Sequence, residues 1–265
     1  MSEQQSFKTI EASLVEGGKV LRIVLAQPKA NVLTSEMLGE LHDALLAHRD
    51  DQHLRMVLLR GAGANFSFGA SVPEHQRDQV RKMLGRFHDV VRDIATFPVP
   101  VAAAVEGRCL GGAFELVLAA HFVFAKIDAI FACPEIKLGV FPPVLAALGP
   151  KRMPAAVAER LLITGEEIDA SMAATFGFVT GIVPKEGDAE RATLDWYEKH
   201  LAPLSAFSLR QATAAAREGA GMAQALDATL RSIEQRYLER LVPSHDGNEG
   251  IEAFLGKRAP AWRDA

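Results

Sequence analysis

The sequence is poor in cysteine, and its two cysteines, Cys109 and Cys133, lie in apolar stretches without the spacing of a metal site. Such a low content excludes a disulfide-dense secreted scaffold and predicts two reduced core residues in a cytosolic protein. No uninterrupted apolar run is long enough to span a membrane. The amino-terminal stretch MSEQQSFKTIEA lacks the apolar region of a secretory signal. We therefore expect a soluble, cytoplasmic protein without a membrane partner.

An excess of positive charge is absent as well. The chain has 29 lysine and arginine residues against 33 aspartate and glutamate residues, a net charge of -4. No basic run is present that could follow a phosphate backbone, so nucleic acid is not an expected partner. Apolar residues, by contrast, make up 49% of the 265 residues. That amount is enough to form the core of one large domain, or of one domain with a small appendage.

The spacing of apolar residues predicts a repeated strand–strand–helix order as far as about residue 145. The predicted segments are a hairpin at 7–15 and 19–26, helices at 34–50, 74–97 and 111–121, and strands at 54–60, 99–105, 121–126 and 130–132. This order favours stacked ββα turns over a regular βαβ sheet. Alanine-rich helices and one short strand follow, at 155–164, 169–177, 178–184 (the strand), 189–201, 205–218 and 222–241.

One stretch, GRCLGGAFELVLAA at 107–120, places two adjacent glycines and a glutamate inside an apolar run. Glycine inside a helix costs about 1 kcal/mol relative to alanine, and a buried carboxylate has to be paired, neutralised or used. The first turn of a helix has N–H groups without partners, and glycine lets a ligand approach them. Glu115 lies three residues after Gly112, so a carbonyl oxygen bound to the Gly112 N–H would lie near the Glu115 carboxylate.

A second N–H donor and a second carboxylate would complete such a site. The loop NFSFGAS at 65–71 contains Gly69 and Ala70, whose small side chains permit close approach. Two N–H donors could hold the enolate oxygen of a thioester. Glu135 follows Pro134 in ACPEIKLGV, at the end of a predicted strand. Two glutamates beside one oxyanion site form an acid/base pair, which suits the addition or removal of water at a double bond conjugated to a thioester.

Each of these features also has a purely structural interpretation. Paired glycines often mark tight packing between a helix and a strand, and Glu115 could be a paired core carboxylate. Glu135 could belong to a helix amino terminus, because a proline precedes it. The segment 61–71 could be an ordinary loop. Spacing alone leaves both interpretations open.

Six segments together resemble the crotonase family, the enoyl-CoA hydratase/isomerase superfamily, over nearly the whole chain. They are QPKANVL (27–33), NFSFGAS (65–71), VEGRCLGGAFELVLAAH (105–121), FACPEIKLGVFPP (131–143), ITGEEIDASMAATFGFVTGIVP (163–184) and EGIEAFLGKRAP (249–260). The resemblance implies an α/β crotonase fold, with a ββα superhelical spiral core over 1–190 and a helical trimerisation region over 191–265. It also implies a homotrimer or a dimer of trimers that binds an acyl-CoA thioester. Coenzyme A is then part of the substrate, and no metal or separate cofactor is expected.

The resemblance also implies roles for individual residues. Ala70 and Gly112 would supply the two oxyanion N–H groups, and both Glu115 and Glu135 match the catalytic glutamates of family hydratases. The presence of both glutamates favours a hydratase over an isomerase, hydrolase or decarboxylase. The residues implied to contact the substrate or its coenzyme A are Lys29, Ala30, Phe68, Ser71, Val72, Gly111 and Lys257.

The chain departs from the common family pattern around the acyl pocket. Ser71 stands where aspartate is usual, Phe68 is bulky where a small residue is usual, and position 113 is alanine where a third glycine is common. Pro142 and Pro143 replace a glycine-rich turn. Together, FSFGASVPEH and KLGVFPPV resemble one branch of the family, whose substrate is a cyclic conjugated dienoyl thioester.

In that branch a hydroxyl group adds to the β carbon and a proton adds to the γ carbon across the other double bond. Our hypothesis is that Glu115 activates water and Glu135 donates the proton, and exchanged roles stay open. The alternatives are a hydratase of linear enoyl-CoA chains and a non-catalytic crotonase-like binding protein. Among the histidines, His75 and His88 are expected to be solvated on the helix at 74–97. His121 is expected to play a structural role at the end of the Glu115 helix, where a cation suits the dipole.

Overall fold

A computed structural model describes residues 7–265 as a mixed α/β structure. The strands are β1 (Ile10–Val15), β2 (Val20–Leu25), β3 (Met56–Gly61), β4 (Val101–Val105), β5 (Arg108–Leu110), β6 (Phe122–Lys126), β7 (Ile130–Ala132), β8 (Glu167–Asp169) and β9 (Gly181–Val183). The α-helices are α1 (Ser35–His48), α2 (Val80–Ala95), α3 (Gly112–Ala119), α4 (Pro143–Arg152), α5 (Ala155–Thr164), α6 (Ala170–Thr175), α7 (Ala189–His200), α8 (Ala206–Gly219), α9 (Met222–Gln224), α10 (Leu230–Arg236) and α11 (Asp246–Leu255). Two 3-10 turns, Val72–His75 and Pro134–Leu138, and two π-helical segments, Ala225–Thr229 and Tyr237–Leu241, lie between them.

The strands form two sheets. The larger sheet has the order β1-β2-β3-β4-β6-β9, in which β1 and β2 pair antiparallel as a hairpin and the other pairs are parallel. The smaller sheet has the order β5-β7-β8, with β5 and β7 parallel and β7 and β8 antiparallel. The sequence unit β4-β5-α3 is repeated as β6-β7-α4, with one strand of each unit in each sheet. The expected crotonase spiral of ββα units is confirmed.

The larger sheet is buried on both faces because the side chains of its strands alternate between two cores. Val57 and Leu59 of β3 belong to the larger core, which also contains the apolar faces of α1 to α4. Met56 and Leu58 belong to the smaller core, which is covered by α7 and α8. The site described below lies on the side of the larger core.

The helices after residue 189 pack on both faces of the sheet. Tyr197 of α7 and Leu209 of α8 lie in the smaller core. Met222, Leu230 and Tyr237, from the helical run at 222–241, lie in the larger core. The division into a core at 1–190 and an oligomerisation region at 191–265 stays a prediction.

Two sequence expectations about helices differ from the structure. The helix expected at 74–97 is split into the Val72–His75 turn and α2, which begins at Val80. Helix α4 was not expected as an element of its own, and Pro143 occupies its first turn, where a missing N–H costs no hydrogen bond. None of the helices within residues 7–265 is both long enough and apolar enough to cross a bilayer.

Candidate active site

The loop that carries Ala70 is held against the segment before α1. Ala70 and Leu33 form an isolated parallel bridge, in which the Leu33 N–H donates to the Gly69 oxygen at 2.9 Å. The Ser71 N–H in turn donates to the Leu33 oxygen at 3.0 Å. The N–H of Ala70 itself points away from this bridge and has no acceptor within residues 7–265. It is therefore free to bind a ligand.

The amino terminus of α3 lies directly beside this loop. Gly111 precedes the helix with φ +52°, and its N–H donates to the Ala132 oxygen at 2.7 Å. The N–H of Gly112, the first helical residue, has no acceptor in the part of the chain that the structure describes. A Cβ atom added to Gly112 would lie only 3.3 Å from the Ala70 Cβ. The structure thus brings the two expected oxyanion residues together.

Glu115 projects from the first turn of α3 and is buried, with 3% of its surface exposed. Its Oε1 accepts hydrogen bonds from the Val144 N–H at 2.7 Å and the Leu145 N–H at 3.0 Å. Both donors belong to the first turn of α4, which begins at Pro143. Burial raises the pKa of Glu115 to about 7, and the two N–H donors limit that rise because they favour the charged form.

Glu135 lies in the 3-10 turn Pro134–Leu138, beside the start of α3. Its Oε2 is buried and has no hydrogen-bond partner within residues 7–265. Its Oε1 lies so close to Gly111 that a Cβ atom there would be 2.7 Å away, and only glycine leaves this space. Burial and the charge of Glu115 raise the pKa of Glu135 well above its usual range. Because Glu115 has the hydrogen-bond donors, it is the carboxyl group that ionises first as the pH rises through about 7, while Glu135 keeps its proton.

Glu115, Glu135, Ala70 and Gly112 line one small cavity. The apolar part of its wall comes from Met83, Leu84, Phe87, Phe141, Pro142 and Pro143. The cavity thus combines a polar floor, formed by two N–H groups and two carboxyl groups, with a rigid apolar wall. Such a combination can orient an acyl group, stabilise negative charge on its carbonyl oxygen and exchange protons with its carbon chain.

Two expectations about histidines were wrong. His75 lines the cavity, because the chain turns at Val72–His75 before α2 begins. Its Nδ1 lies 2.9 Å from the Ser71 oxygen and donates to it, and burial lowers its pKa, so the ring is neutral. His88 is fully buried, with its Nδ1 2.8 Å from Glu234. His121 has a structural role, since its Nδ1 accepts from the Val101 N–H, but it is not a cation.

The neutral state of His121 has a clear cause. Burial lowers its pKa to about 2, and the charges of Arg217 and Arg152 act in the same direction. The Arg217 Nε lies only 2.9 Å from the His121 Nε2, so the charge of this arginine is in direct contact with the ring. The helix-dipole argument did not include these two arginines, which come from α4 and α8.

Asn31 is a supporting residue that the sequence analysis missed. Lys29, Ala30 and Asn31 all have positive φ values, of 65°, 96° and 51°. Such strain in three consecutive non-glycine residues requires compensation from the surroundings. The Asn31 Nδ2 donates to three carbonyl oxygens, those of Ala62, Asn65 and Phe66. It thereby holds the loop that leads to Ala70. An asparagine in a Pro-Lys-Ala-Asn sequence, where left-handed backbone is tolerated, was the available signal.

The remaining expected contact residues are not among those that line the cavity. Phe68 is 44% exposed, and its N–H donates to the Ala30 oxygen at 3.0 Å. Ser71 is buried, and Val72 opens the 3-10 turn. Lys257 is exposed just beyond α11, a helix that packs against the turn containing Glu135. The residues described here include no group of three or more metal-ligating side chains.

Comparison with known proteins gives one consistent result. A model of the enoyl-CoA hydratase/isomerase family matches residues 16–265. The cyclohexa-1,5-dienecarbonyl-CoA hydratase of Thauera aromatica is 42% identical over 264 residues, which cover 100% of both chains. The carnitinyl-CoA dehydratase of Proteus mirabilis is 31% identical over 94% of this chain and 97% of its own. The crystal structure of an enoyl-CoA hydratase from Mycobacterium avium subsp. paratuberculosis superposes with a TM-score of 0.85 at 26% identity, covering 98% of this chain and 100% of the other.

Proposed function

Because the chain belongs to the enoyl-CoA hydratase/isomerase family, we propose that it adds water reversibly to the conjugated cyclic thioester cyclohexa-1,5-diene-1-carbonyl-CoA. The product is 6-hydroxycyclohex-1-ene-1-carbonyl-CoA, and the enzyme is a hydratase of the lyase class. The observation that carries this proposal is the convergence of two buried carboxyl groups and two free N–H groups on one small cavity. The 42% identity to a hydratase named for this substrate supports the choice of acyl group.

The apolar wall of the cavity suits a flat ring. Phe87 and Phe141 can pack against the faces of a flat diene, and Pro142 and Pro143 make the adjoining wall stiff. A long, flexible acyl chain gains less from such a wall.

The N–H groups of Ala70 and Gly112 hold the thioester oxygen. As the oxygen of water bonds to the β carbon, electrons move through the conjugated system and negative charge builds up on the thioester oxygen. Donors that already point to this position stabilise the charge without rearrangement. One such donor lowers the activation free energy by about 3 kcal/mol. The amino terminus of α3, which begins at Gly112, carries the positive end of the helix dipole and stabilises the same negative charge.

The two glutamates divide the proton transfers. The ionised Glu115 takes one proton from water as the new C–O bond forms. The protonated Glu135 gives its proton to the γ carbon, and the remaining double bond then lies between the α carbon and the other β carbon. The sum is one water molecule added, and the electron count of the substrate is unchanged. The reaction therefore needs no redox cofactor, and each proton transfer contributes about 10²–10⁴-fold.

The test is turnover of the cyclic dienoyl-CoA by the purified protein, with the product identified by mass spectrometry and NMR. Crotonyl-CoA and a carnitinyl-CoA substrate are assayed beside it. We expect kcat/KM to be highest for the cyclic thioester. A higher kcat/KM for crotonyl-CoA would instead support the alternative of a linear enoyl-CoA hydratase. No turnover of any thioester would support the non-catalytic alternative.

Single variants test the two glutamates. Glu115→Gln and Glu135→Gln should each lower kcat by about 10²–10⁴-fold, because each removes one proton transfer. Glu159→Gln, at an exposed position of α5, is the matched control and should keep the parent activity. Turnover near the parent value in either glutamate variant would contradict the role assigned to that residue.

We also propose that the protein is a homotrimer or a dimer of trimers. The helical region has exposed apolar side chains that a neighbouring subunit could cover, among them Phe207, 71% exposed, and Phe254, 56% exposed. Lys29 and Ala30 are proposed to flank the coenzyme A moiety, and Lys257 to reach the phosphates of a neighbour's coenzyme A. Light scattering at several protein concentrations tests the assembly, and a purely monomeric species would contradict it.

A further inference from the structure

Besides the two glutamates and His75, Tyr237 brings a polar side chain to the site. It begins the π-helical segment Tyr237–Leu241, more than 100 residues after either glutamate, and only 2% of its surface is exposed. Its ring lies edge-on to Phe141, with centroids 5.4 Å apart and an interplanar angle of 75°. Its side chain lines the same cavity as Glu115 and Glu135. Nothing in the proposed reaction has so far used it.

The hydroxyl group of Tyr237 is buried without a hydrogen-bond partner within residues 7–265. Buried tyrosine hydroxyl groups usually have a partner, because an unpaired one loses the hydrogen bond that water would provide. The Oε2 of Glu135 is also buried and unpaired, and it lines the same cavity. Two unpaired polar atoms in one cavity indicate that an oxygen-bearing ligand completes the hydrogen bonds of both.

The chemistry of the three groups limits what this ligand can be. Burial raises the pKa of Tyr237, and the negative charges that Glu135 and Glu115 carry at high pH act in the same direction, so its hydroxyl group keeps its proton and acts as a donor. The ligand must therefore accept a hydrogen bond from Tyr237 and also interact with carboxyl groups. A water molecule, or the hydroxyl group it becomes, does both, because it has two lone pairs and at least one proton.

We propose that the Tyr237 hydroxyl group donates a hydrogen bond to the oxygen that is added to the substrate, both as water and as the product hydroxyl group. One lone pair is then held by Tyr237, one proton points to Glu115, and the second lone pair faces the β carbon. This inference deepens the proposed function, on which it rests for the shape of the acyl group. The π-helical turn at Tyr237 is consistent with a functional position, since such turns are frequent at functional sites.

The experiment compares Tyr237→Phe with Tyr197→Phe. Tyr197 is the other tyrosine of the chain, is 1% exposed and also has a buried, unpaired hydroxyl group. It lies in the smaller core, on the opposite face of the sheet from the cavity. Both variants remove one oxygen atom without changing the ring. Because both hydroxyl groups are unpaired, neither loss should lower the unfolding temperature.

Two inhibition constants distinguish a hydrogen bond from Tyr237 to the added oxygen from a role of Tyr237 in packing alone. They are measured from initial rates for the product, 6-hydroxycyclohex-1-ene-1-carbonyl-CoA, and for cyclohex-1-ene-1-carbonyl-CoA, which lacks only the hydroxyl group. The parent should bind the hydroxylated thioester about tenfold more tightly, and Tyr237→Phe should lose this preference, as expected for one lost hydrogen bond. Its kcat should fall about tenfold or more while KM for the dienoyl-CoA changes less than threefold. Tyr197→Phe should match the parent in all these values.

Two outcomes would overturn the inference. The first is a Tyr237→Phe variant whose kcat and hydroxyl preference stay within twofold of the parent. The second needs no variant: a parent enzyme that binds both thioesters equally well has no donor for the hydroxyl group. If the parent does not hydrate the cyclic dienoyl-CoA but hydrates crotonyl-CoA, the proposed substrate is wrong. The same comparison is then made with 3-hydroxybutyryl-CoA and butyryl-CoA, so the role of Tyr237 is tested separately.

Discussion

Replacement of Glu115 by glutamine should make the folded protein more stable at alkaline pH while it removes activity. Burial raises the pKa of this carboxyl group from the usual 4.5 to about 7. The folded protein thus binds the proton more tightly than the unfolded chain does. Ionisation of Glu115 therefore costs no stability below about pH 4.5, costs progressively more between pH 4.5 and 7, and has its full cost above about pH 7.

The magnitude follows from the two pKa values. Each pH unit between them corresponds to about 1.4 kcal/mol, so the full cost is about 3 kcal/mol. Glutamine has no charge to desolvate, and its side-chain oxygen can still accept from the Val144 and Leu145 N–H groups. We therefore expect Glu115→Gln to raise the free energy of unfolding by about 2–3 kcal/mol at pH 8 and to leave it almost unchanged at pH 4.5.

The assay is denaturant unfolding of parent and variant from about pH 3.5 to pH 8, at one protein concentration, because association makes apparent stability concentration-dependent. Glu190→Gln is a control with the opposite sign. Burial opposes ionisation of Glu190, but its bonds with Arg22 and Arg60 outweigh burial and hold its pKa below the usual value. Glu190→Gln should destabilise at pH 8, and this loss should shrink as the pH falls toward the lowered pKa. A stability difference for Glu115→Gln that does not change with pH would refute the reasoning.

Three further predictions concern the geometry and the pH dependence of the site. Gly69→Ala should lower kcat more than tenfold, because φ of Gly69 is +92° and the new Cβ would lie 2.5 Å from the Leu110 oxygen, which displaces the neighbouring Ala70 N–H. Gly63→Ala is the control for backbone strain alone, since φ of Gly63 is +73° but the space around it is open. Asn31→Ala should lower the free energy of unfolding by about 2–3 kcal/mol, since three carbonyl groups lose a donor, and an unfolding curve like that of the parent would contradict this. The kcat/KM should rise through about pH 7 as the Glu115 base ionises and fall at higher pH as the Glu135 acid loses its proton; a profile that is flat from pH 6 to 9 would contradict the assigned acid and base.

The polar part of the site was predictable because its residues lie at the ends of elements with strong local signals. Gly112 and Glu115 are three residues apart at a helix start, and Glu135 follows a proline at a strand end, so the sequence indicates where each side chain points. His75 was misplaced because its segment has helical spacing but the chain turns before α2. Tyr237 has no local signal at all: only the packing of the run at 222–241 onto the larger core brings it to the cavity.

Two helix amino termini have complementary tasks in this site. The first turn of α3 leaves the Gly112 N–H free at the cavity, and the first turn of α4 presents two N–H groups to Glu115. Burial alone would keep a carboxyl group protonated at neutral pH, so Glu115 would be a poor base without α4. Two donors to the charged form bring its pKa back to about 7, where a general base is most effective. Because Pro143 is the first residue of α4, it helps to place the two N–H groups that favour the charged form of Glu115.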